Sequence, residues 1–262
     1  MILPRDHHKP TLVNAQATYY PHMVSVYIPN DPILRNPSSS TGKIASESQD
    51  SKNKETNAER SIRRTRKTIN DYVLCNNFEL FATFTFAKNR QDIKQKRQQM
   101  SDWIRNQRKR NGKFSYIIVP EFHKDKESLH FHALISGYFG SIKKSINPKT
   151  GKHLIQGGQQ VYYFPEYTLG FTNVKAVSAS LEDKAKVAYY IQKYITKDMP
   201  EFYGRKRYWA SKNLQLPKIE DNPAEWYKHI KPDWEVELEH GKLLRFNAGS
   251  NPLIDLYLEA KS

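Results

Sequence analysis

The pattern of apolar and polar positions divides the chain into strands and helices. Runs of aromatic and β-branched residues predict long strands over 78–86, 114–121 and 129–135, and shorter ones over 24–28, 161–164 and 171–177. Apolar residues at helical spacing predict helices over 59–76, 90–110 and 181–200, the last of which ends at Pro200. After them, 203–217 is typical of a basic, exposed strand and turn.

The order of these elements indicates the fold class. The strands 114–121 and 129–135 are joined by the short polar segment FHKDKES, and two strands joined by a tight turn must run antiparallel. The strands do not alternate regularly with helices, as they would in a doubly wound parallel sheet. The sequence therefore predicts an α+β fold with a central antiparallel β-sheet and helices mainly on one face.

Composition divides the chain into three regions. The stretch 37–58 is polar, rich in Ser and almost free of aliphatic residues, which predicts a flexible segment. We expect residues 1–58 to form an N-terminal extension that includes this segment. Residues 59–217 are expected to form the main domain, and 218–262 an acidic C-terminal extension.

The charge of the chain favours a polyanionic partner. The net charge is +15, and residues 52–114 hold 17 Lys and Arg against 6 Asp and Glu, whereas 218–262 hold 6 against 9. Because the basic residues are concentrated, nucleic acid is favoured over a membrane, for which no basic amphipathic anchor is evident. The single cysteine, Cys75, excludes an internal disulfide framework, and no long apolar run is present. We expect a soluble cytoplasmic protein with no membrane partner.

Two histidines in an apolar strand are candidate metal ligands. His130 and His132 are two residues apart, so on a strand their side chains lie on one face. If the preceding turn centres on residues 125–126, Glu121 pairs with His130 and Val119 with His132. Directly paired side chains have Cβ atoms about 5 Å apart, so one carboxylate and two imidazoles would converge. A register shift of one residue would send Glu121 to the other face. His123, on the same side as Glu121, is a weaker candidate.

A tandem Tyr-x-x-Lys motif lies in the helix predicted over 181–200. Tyr190 and Tyr194 are four residues apart and share a helix face, and Lys193 and Lys197 follow each at three residues. A structural stripe of Tyr and Ile with solvated lysines would have the same pattern. The order of the motifs along the chain favours the functional interpretation.

These motifs resemble the HUH superfamily of single-stranded DNA endonucleases, in particular the rolling-circle replication initiators of phages and plasmids. FATFTF (81–86) is similar to the first conserved strand of that family, LHFHAL (129–134) to its His-hydrophobe-His motif and YIQKYITK (190–197) to its catalytic helix. RYWASKNLQLP (207–217) is similar to a segment of the gene II-like proteins associated with filamentous phages. The resemblance covers about residues 59–217.

The resemblance implies a palm of the RRM or ferredoxin-like type and a metal-dependent tyrosine chemistry. Glu121, His130 and His132 would hold a divalent metal, Mg²⁺ or Mn²⁺. Tyr190 or Tyr194 would attack the scissile phosphate and leave a 5′-phosphotyrosine and a free 3′-OH, with no ranking of the two tyrosines. Lys193 and Lys197 would supply positive charge where negative charge develops.

Single-stranded DNA at a replication origin is the expected partner. Basic side chains that could follow its phosphates are Arg63, Arg64, Arg66 and Lys67 on the first helix and Arg205, Lys206 and Arg207 after the third. The chain contains no Gly-x-x-x-x-Gly-Lys-Ser/Thr motif, so we expect a separate helicase and host replication machinery in a bacterial cytoplasm.

Three alternatives stay open from the sequence. The chain could be a relaxase or transposase of the same superfamily, which serves plasmid mobilisation or transposition. It could be a non-catalytic module that binds single-stranded DNA. It could also be a small hydrolase that uses His-x-His for zinc, although this leaves the basic charge and the paired tyrosines unexplained.

Overall fold

The computed structural model describes residues 11–35, 50–123, 125, 127–178, 180–195 and 207–261. In chain order its strands are β1 (Thr11–Val13), β2 (Gln16–Tyr20), β3 (Met23–Pro29), β4 (Ile33–Arg35), β5 (Leu80–Phe86), β6 (Ser115–Phe122), β7 (Leu129–Ser136), β8 (Lys143–Lys144), β9 (Ile155–Gln156), β10 (Gln159–Gln160), β11 (Tyr162–Tyr163), β12 (Gly170–Ala176), β13 (Trp209–Ala210), β14 (Lys218–Asp221), β15 (Trp234–Leu238) and β16 (Gly241–Asn247). The α-helices are α1 (Asp50–Cys75), α2 (Ile93–Asn111), α3 (Leu181–Gln192) and α4 (Pro252–Lys261), and Glu225–Lys228 form a 3₁₀-helix. None of the helices in these described ranges is long and apolar enough to cross a membrane.

A seven-stranded sheet is the centre of the unit formed by Ser51–Gln215. Its strand order is β13-β6-β7-β5-β12-β11-β8, and every neighbouring pair is antiparallel. Strands β9 and β10 form a separate two-stranded ribbon. The predicted α+β fold with a central antiparallel sheet is confirmed.

Alternation along β5 separates the two faces of this sheet. Ala82, Phe84 and Phe86 are buried in one aromatic cluster, whereas Phe81 packs in the cluster on the opposite face. The first cluster is covered by α2 through Met100, Trp103 and Ile104. This helix begins where the Asp92 side chain accepts a hydrogen bond from the Gln95 N–H (2.9 Å) and ends before Gly112, at φ 85°.

Helices α1 and α3 cover the other face of the sheet. Ile69 and Val73 of α1 and Ala188 and Ile191 of α3 pack together over Val119, and all of these side chains are buried. Two of the three helices in this unit therefore share one face, and that face also carries the two histidines.

Helix α1 begins earlier than its apolar pattern indicates. The predicted start was residue 59, but the helix begins at Asp50, so it takes in part of the segment 37–58 that was expected to be flexible. The added residues include Lys, Glu and Ala, which favour helix without giving an apolar periodicity. Residues 36–49 lie outside the described residues.

Helix α3 ends at Gln192, whereas the sequence predicted a helix to residue 200. The next residues form a tighter turn, in which the Lys193 N–H donates to the Tyr190 carbonyl (3.2 Å) and the Tyr194 N–H to the Ile191 carbonyl (3.3 Å). Arg66 holds the carbonyl of Ile195 through two hydrogen bonds, of 3.2 and 2.9 Å. That carbonyl is satisfied from outside the helix, so the turn can end there. Residues 196–200 lie outside the described residues.

The described residues of Met1–Asp50 and Leu216–Ser262 form a second unit. Its five-stranded antiparallel sheet has the order β14-β2-β3-β16-β15, so it combines strands from both ends of the sequence. Helix α4 contributes Ile254 and Leu258 to its core. The regions 1–58 and 218–262, expected to be separate extensions, thus contribute strands to one sheet.

The aromatic cluster under α2 predicts a strong effect of truncating Phe84. The ring is fully buried and its centroid lies 5.0 Å from that of Trp103 and 5.2 Å from that of Tyr167. We expect Phe84→Ala to lower the free energy of unfolding of this unit by about 3–5 kcal/mol, measured by amide exchange in β5 over a urea series. Phe139→Ala is the matched control, since Phe139 is 82% exposed and its loss should change the value by less than about 0.5 kcal/mol. Equal effects of the two variants would contradict this packing.

Candidate active site

The β6–β7 hairpin brings Glu121 and the two histidines to one face of the sheet. Its register pairs Glu121 with His130 and Val119 with His132, so the predicted register is confirmed. The Glu121 carboxylate lies 2.6 Å from Nε2 of His132. The imidazole of His132 is almost fully buried, whereas Glu121 keeps part of its carboxylate in solvent.

Two threonines of β5 lie beside the other nitrogens of the histidines. Thr83 pairs with His132 and Thr85 with His130 across the β5–β7 ladder. The Thr83 hydroxyl is 3.2 Å from Nδ1 of His132, and the Thr85 hydroxyl is 3.4 Å from Nδ1 of His130. Each hydroxyl can fix the tautomer of its partner ring, which leaves both Nε2 atoms for the side of Glu121.

The donor atoms suit a divalent metal, although they are not arranged as a finished site. Among the described residues, no group of three or more His, Cys, Asp and Glu side chains stands in an arrangement that could hold an ion, and Glu121 and His132 bond to each other. The Nε2 atom of His130, however, is buried and has no hydrogen-bond partner within the described part of the chain. Burial, followed by the neighbouring His123 and His132, lowers the pKa of His130, so its neutral ligand form is favoured.

An orphaned imidazole nitrogen beside a carboxylate and a second imidazole fits a mixed nitrogen and oxygen ligand set. The threonine hydroxyls would act as the outer partners that ligating histidines need at their other nitrogen. Glu121 would have to exchange its bond to His132 for the ion. The sequence-predicted ligands are therefore together, and ligation requires one side-chain rotation.

The end of α3 places two tyrosines over this cluster. The ring of Tyr194 lies flat on that of His132, with centroids 3.6 Å apart and planes at 6°. The ring of Tyr190 meets Tyr194 edge-on at 5.5 Å and Phe81 at 5.1 Å. The pair predicted from a continuous helix is in contact, even though Tyr194 lies in the turn after the helix.

The two tyrosines differ in their surroundings. Tyr190 is 44% exposed and borders a cavity of about 570 Å³ that Phe81, Thr83 and Asn173 also line. Tyr194 is more enclosed, and burial together with a hydrogen bond to Tyr190 raises its pKa above the ordinary value for tyrosine. Its phenolate is therefore the harder of the two to form without a change in the site.

The predicted lysines are only partly within the described structure. The Nζ atom of Lys193 lies 5.3 Å from the ring centroid of Tyr190 and 5.3 Å from that of Tyr189. A positive charge is thus next to the exposed phenol. Lys197 lies outside the described residues.

The basic residues proposed to contact DNA have different surroundings. Arg63 and Arg64 are exposed on α1. Arg66 instead binds the Ile195 carbonyl, and Lys67 pairs with Asp71 at 2.9 Å. Arg207 is partly buried just before β13, and Arg205 and Lys206 lie outside the described residues.

Sequence reasoning missed the threonines and gave His123 little weight. The ring of His123 stacks on that of His130, with centroids 4.8 Å apart. Thr83 and Thr85 alternate with phenylalanines in FATFTF, a pattern that indicates one polar side-chain row on a strand. Nothing in the sequence says that β5 pairs with β7, so this row could not be matched to the histidines.

Comparison with known families identifies the class of this unit. Residues 79–199 match the family model of replication-associated proteins of the ORF2 and gene II protein type. The match runs from the start of β5 past both tyrosines, so it includes every element of the cluster. The resemblance to phage- and plasmid-type replication-associated proteins is confirmed for this segment. Comparison with curated proteins gave no match, and neither did comparison with solved structures.

The contact between Arg66 and Ile195 predicts a positioning role for an arginine first considered as a DNA contact. We expect Arg66→Ala to lower the free energy of unfolding by about 1 kcal/mol, because two charge-assisted hydrogen bonds at a partly exposed site are lost. Arg63→Ala removes an exposed arginine three residues away on α1 and should leave unfolding unchanged. Urea denaturation of both variants measures the difference. An Arg66→Ala protein as stable as wild type would argue against this role.

Proposed function

We propose that the protein is a replication initiator that nicks single-stranded origin DNA through a tyrosine and rejoins the ends later. One observation carries this proposal: two tyrosines in mutual contact lie on the Glu121–His132 pair, with Lys193 beside the more exposed ring. The match of residues 79–199 to a replication-associated family supports a role in DNA replication. Net charge and concentrated basic residues support a polyanionic substrate.

The proposed reaction exchanges one phosphodiester for another. The tyrosine hydroxyl oxygen attacks the scissile phosphorus, the bond from phosphorus to the 3′ oxygen breaks and a tyrosine–phosphorus ester forms. The phenol releases its proton, and the departing oxygen takes one up as a free 3′-OH. Because the ester conserves the bond, attack by a 3′-OH on the 5′-phosphotyrosine restores a continuous strand.

The surrounding groups offset the negative charge that develops in this step. Lys193 is next to Tyr190, so its ammonium favours the phenolate as the proton leaves. When bound by Glu121, His130 and His132, Mg²⁺ or Mn²⁺ supplies Lewis-acid polarisation of the scissile phosphate. Thr83 and Thr85 keep the two imidazoles oriented with Nε2 toward that phosphate.

The unequal surroundings of the tyrosines favour Tyr190 as the first nucleophile. Its ring is exposed at the border of a cavity that can admit a nucleotide next to the scissile phosphate. Tyr194 is stacked on His132 and its raised pKa opposes deprotonation. Tyr194 would act in the second transfer, after the DNA attached to Tyr190 has changed the site.

An adduct assay tests the tyrosine chemistry. Overlapping single strands from the replicon that carries the gene, labelled at the 3′ end, are incubated with protein and Mn²⁺ and then denatured. We expect label to migrate with the protein, because the 5′-phosphotyrosine holds the fragment on the 3′ side of the nick. Tyr190→Phe should abolish the adduct, whereas Tyr194→Phe should keep it and lose transfer to a second strand.

Tyr189→Phe is the matched control for these variants. Tyr189 is adjacent in sequence and 68% exposed, and its variant should keep both adduct and transfer. No adduct with any strand, together with intact binding of single-stranded DNA, would favour the non-catalytic module. An adduct that persists in a Tyr190→Phe/Tyr194→Phe double variant would rule out these nucleophiles.

Removal of His130 tests the metal ligands separately. We expect His130→Ala to weaken Mn²⁺ binding by about 100-fold, measured by titration calorimetry, and to abolish cleavage while DNA binding is largely kept. His153→Ala, at an exposed histidine of the same unit, should bind Mn²⁺ as wild type does. Unchanged Mn²⁺ affinity in His130→Ala would remove this residue from the ligand set.

A further inference from the structure

A second basic surface lies at the β13 edge of the seven-stranded sheet. A cavity of about 870 Å³ opens between the C-terminal half of α2, the edge of β6 and the segment after β13. We call it the edge groove. Its cationic lining residues are Arg97, Arg105, Arg108, Lys109, Lys113 and Lys212, and no Asp or Glu is among the described residues that line it.

The cations of the edge groove converge from three parts of the chain. Arg105 is neutralised by Asp102 at 2.7 Å. For Lys109, Lys113 and Lys212, no ion pair is formed within the described ranges. Lys109 can be explained as a favourable charge at the end of α2, but Lys113 follows the helix and Lys212 follows β13. Mutual repulsion of charges gathered from separate elements indicates an anionic ligand.

Aromatic rings hold two of the arginines in place. The Arg108 guanidinium carbon lies 5.6 Å from the ring centroid of Tyr116, and that of Arg97 lies 6.0 Å from the ring centroid of Trp209. The ring of Trp209 also stacks on Phe131, with centroids 5.4 Å apart. Since Trp209 is covered by both contacts, it is not free to stack a base, and the groove offers mainly charge and guanidinium N–H groups. This favours phosphates over nucleobases.

The edge groove is separate from the tyrosine cluster. Tyr116 and Glu121 are both on β6, five residues apart, which corresponds to about 16 Å along the strand. Their side chains alternate to opposite faces of the sheet. A phosphate in the groove is therefore several nucleotides away from one at the tyrosines.

We infer that the edge groove binds the DNA backbone outside the nick site, without sequence preference. The occupant is a phosphodiester backbone, because a curved, purely cationic lining with fixed guanidinium groups matches a row of phosphates. This binding adds affinity and holds the strand that flanks the nick. It does not depend on the tyrosine chemistry, so it can be measured even if no adduct forms.

The test removes three exposed lysines from the groove and compares them with three elsewhere. The groove variant is Lys109→Gln/Lys113→Gln/Lys212→Gln, and the control is Lys143→Gln/Lys144→Gln/Lys149→Gln, with the same loss of charge from exposed positions of the same unit. The dissociation constant for a random single strand of about 40 nucleotides is measured by fluorescence anisotropy over a salt series. Thermal unfolding verifies that both variants are folded.

We expect the groove variant to bind about tenfold more weakly at physiological ionic strength, with a log–log salt slope reduced by about 2, as three lost contacts predict. The control should stay near wild type. Equal losses in the two variants, or no loss in the groove variant, would overturn the inference. So would wild-type DNA binding by a groove variant that no longer binds phosphatidylserine vesicles.

A short strand separates this result from the proposed nicking function. On an oligonucleotide of about 10 nucleotides that spans only the nick, the groove variant should form the tyrosine adduct as wild type does. If neither protein forms an adduct on any strand, the nicking proposal fails while the anisotropy result still decides the role of the groove. If only the groove variant fails on the short strand, the groove belongs to the nick site, and the inference of a separate surface is overturned.

Discussion

The antiparallel register of the β6–β7 hairpin is the constraint on which the candidate site depends. It sets Glu121 opposite His130, and apolar neighbours on the same face keep it there, since Val119 and Leu134 are fully buried under α1 and α3. A slip of one residue would turn those two side chains out of the core they share. Packing of the sheet and alignment of the donor atoms are therefore enforced by the same pairing.

The tyrosines depend on a second constraint, the early end of α3. A longer helix would carry Tyr194 onward along a regular face, whereas the tighter turn lets its ring lie flat on His132. Arg66 reaches from α1 to satisfy the carbonyl at this turn, so a basic helix contributes to the geometry of the site as well as to the charge of the surface. Core packing, backbone satisfaction and chemistry meet in a few residues.

Much of this unit could be predicted from its sequence, and the exceptions have physical causes. Strong apolar runs and the short turn predicted the strands and the hairpin register. The helical start at Asp50 was missed because polar helix formers leave no periodic pattern. The end of α3 was misplaced because it depends on Arg66, a partner 129 residues away. Thr83 was missed because its value comes from a ladder between strands that are not adjacent in sequence.

The five-stranded sheet has a consequence for synthesis of the chain. The side chains of Gln16 and Asp221, which hydrogen bond at 2.7 Å, are separated by 205 positions. A ribosome that adds about 5–20 residues per second would therefore make β2 and β3 roughly 10–40 s before β14 and β16 exist to cover them. During that interval the β2–β3 hairpin has two open edges, which is the state most prone to pairing with another nascent chain. The unit Ser51–Gln215 has no such wait, because all the strands of its sheet are contained in one continuous stretch.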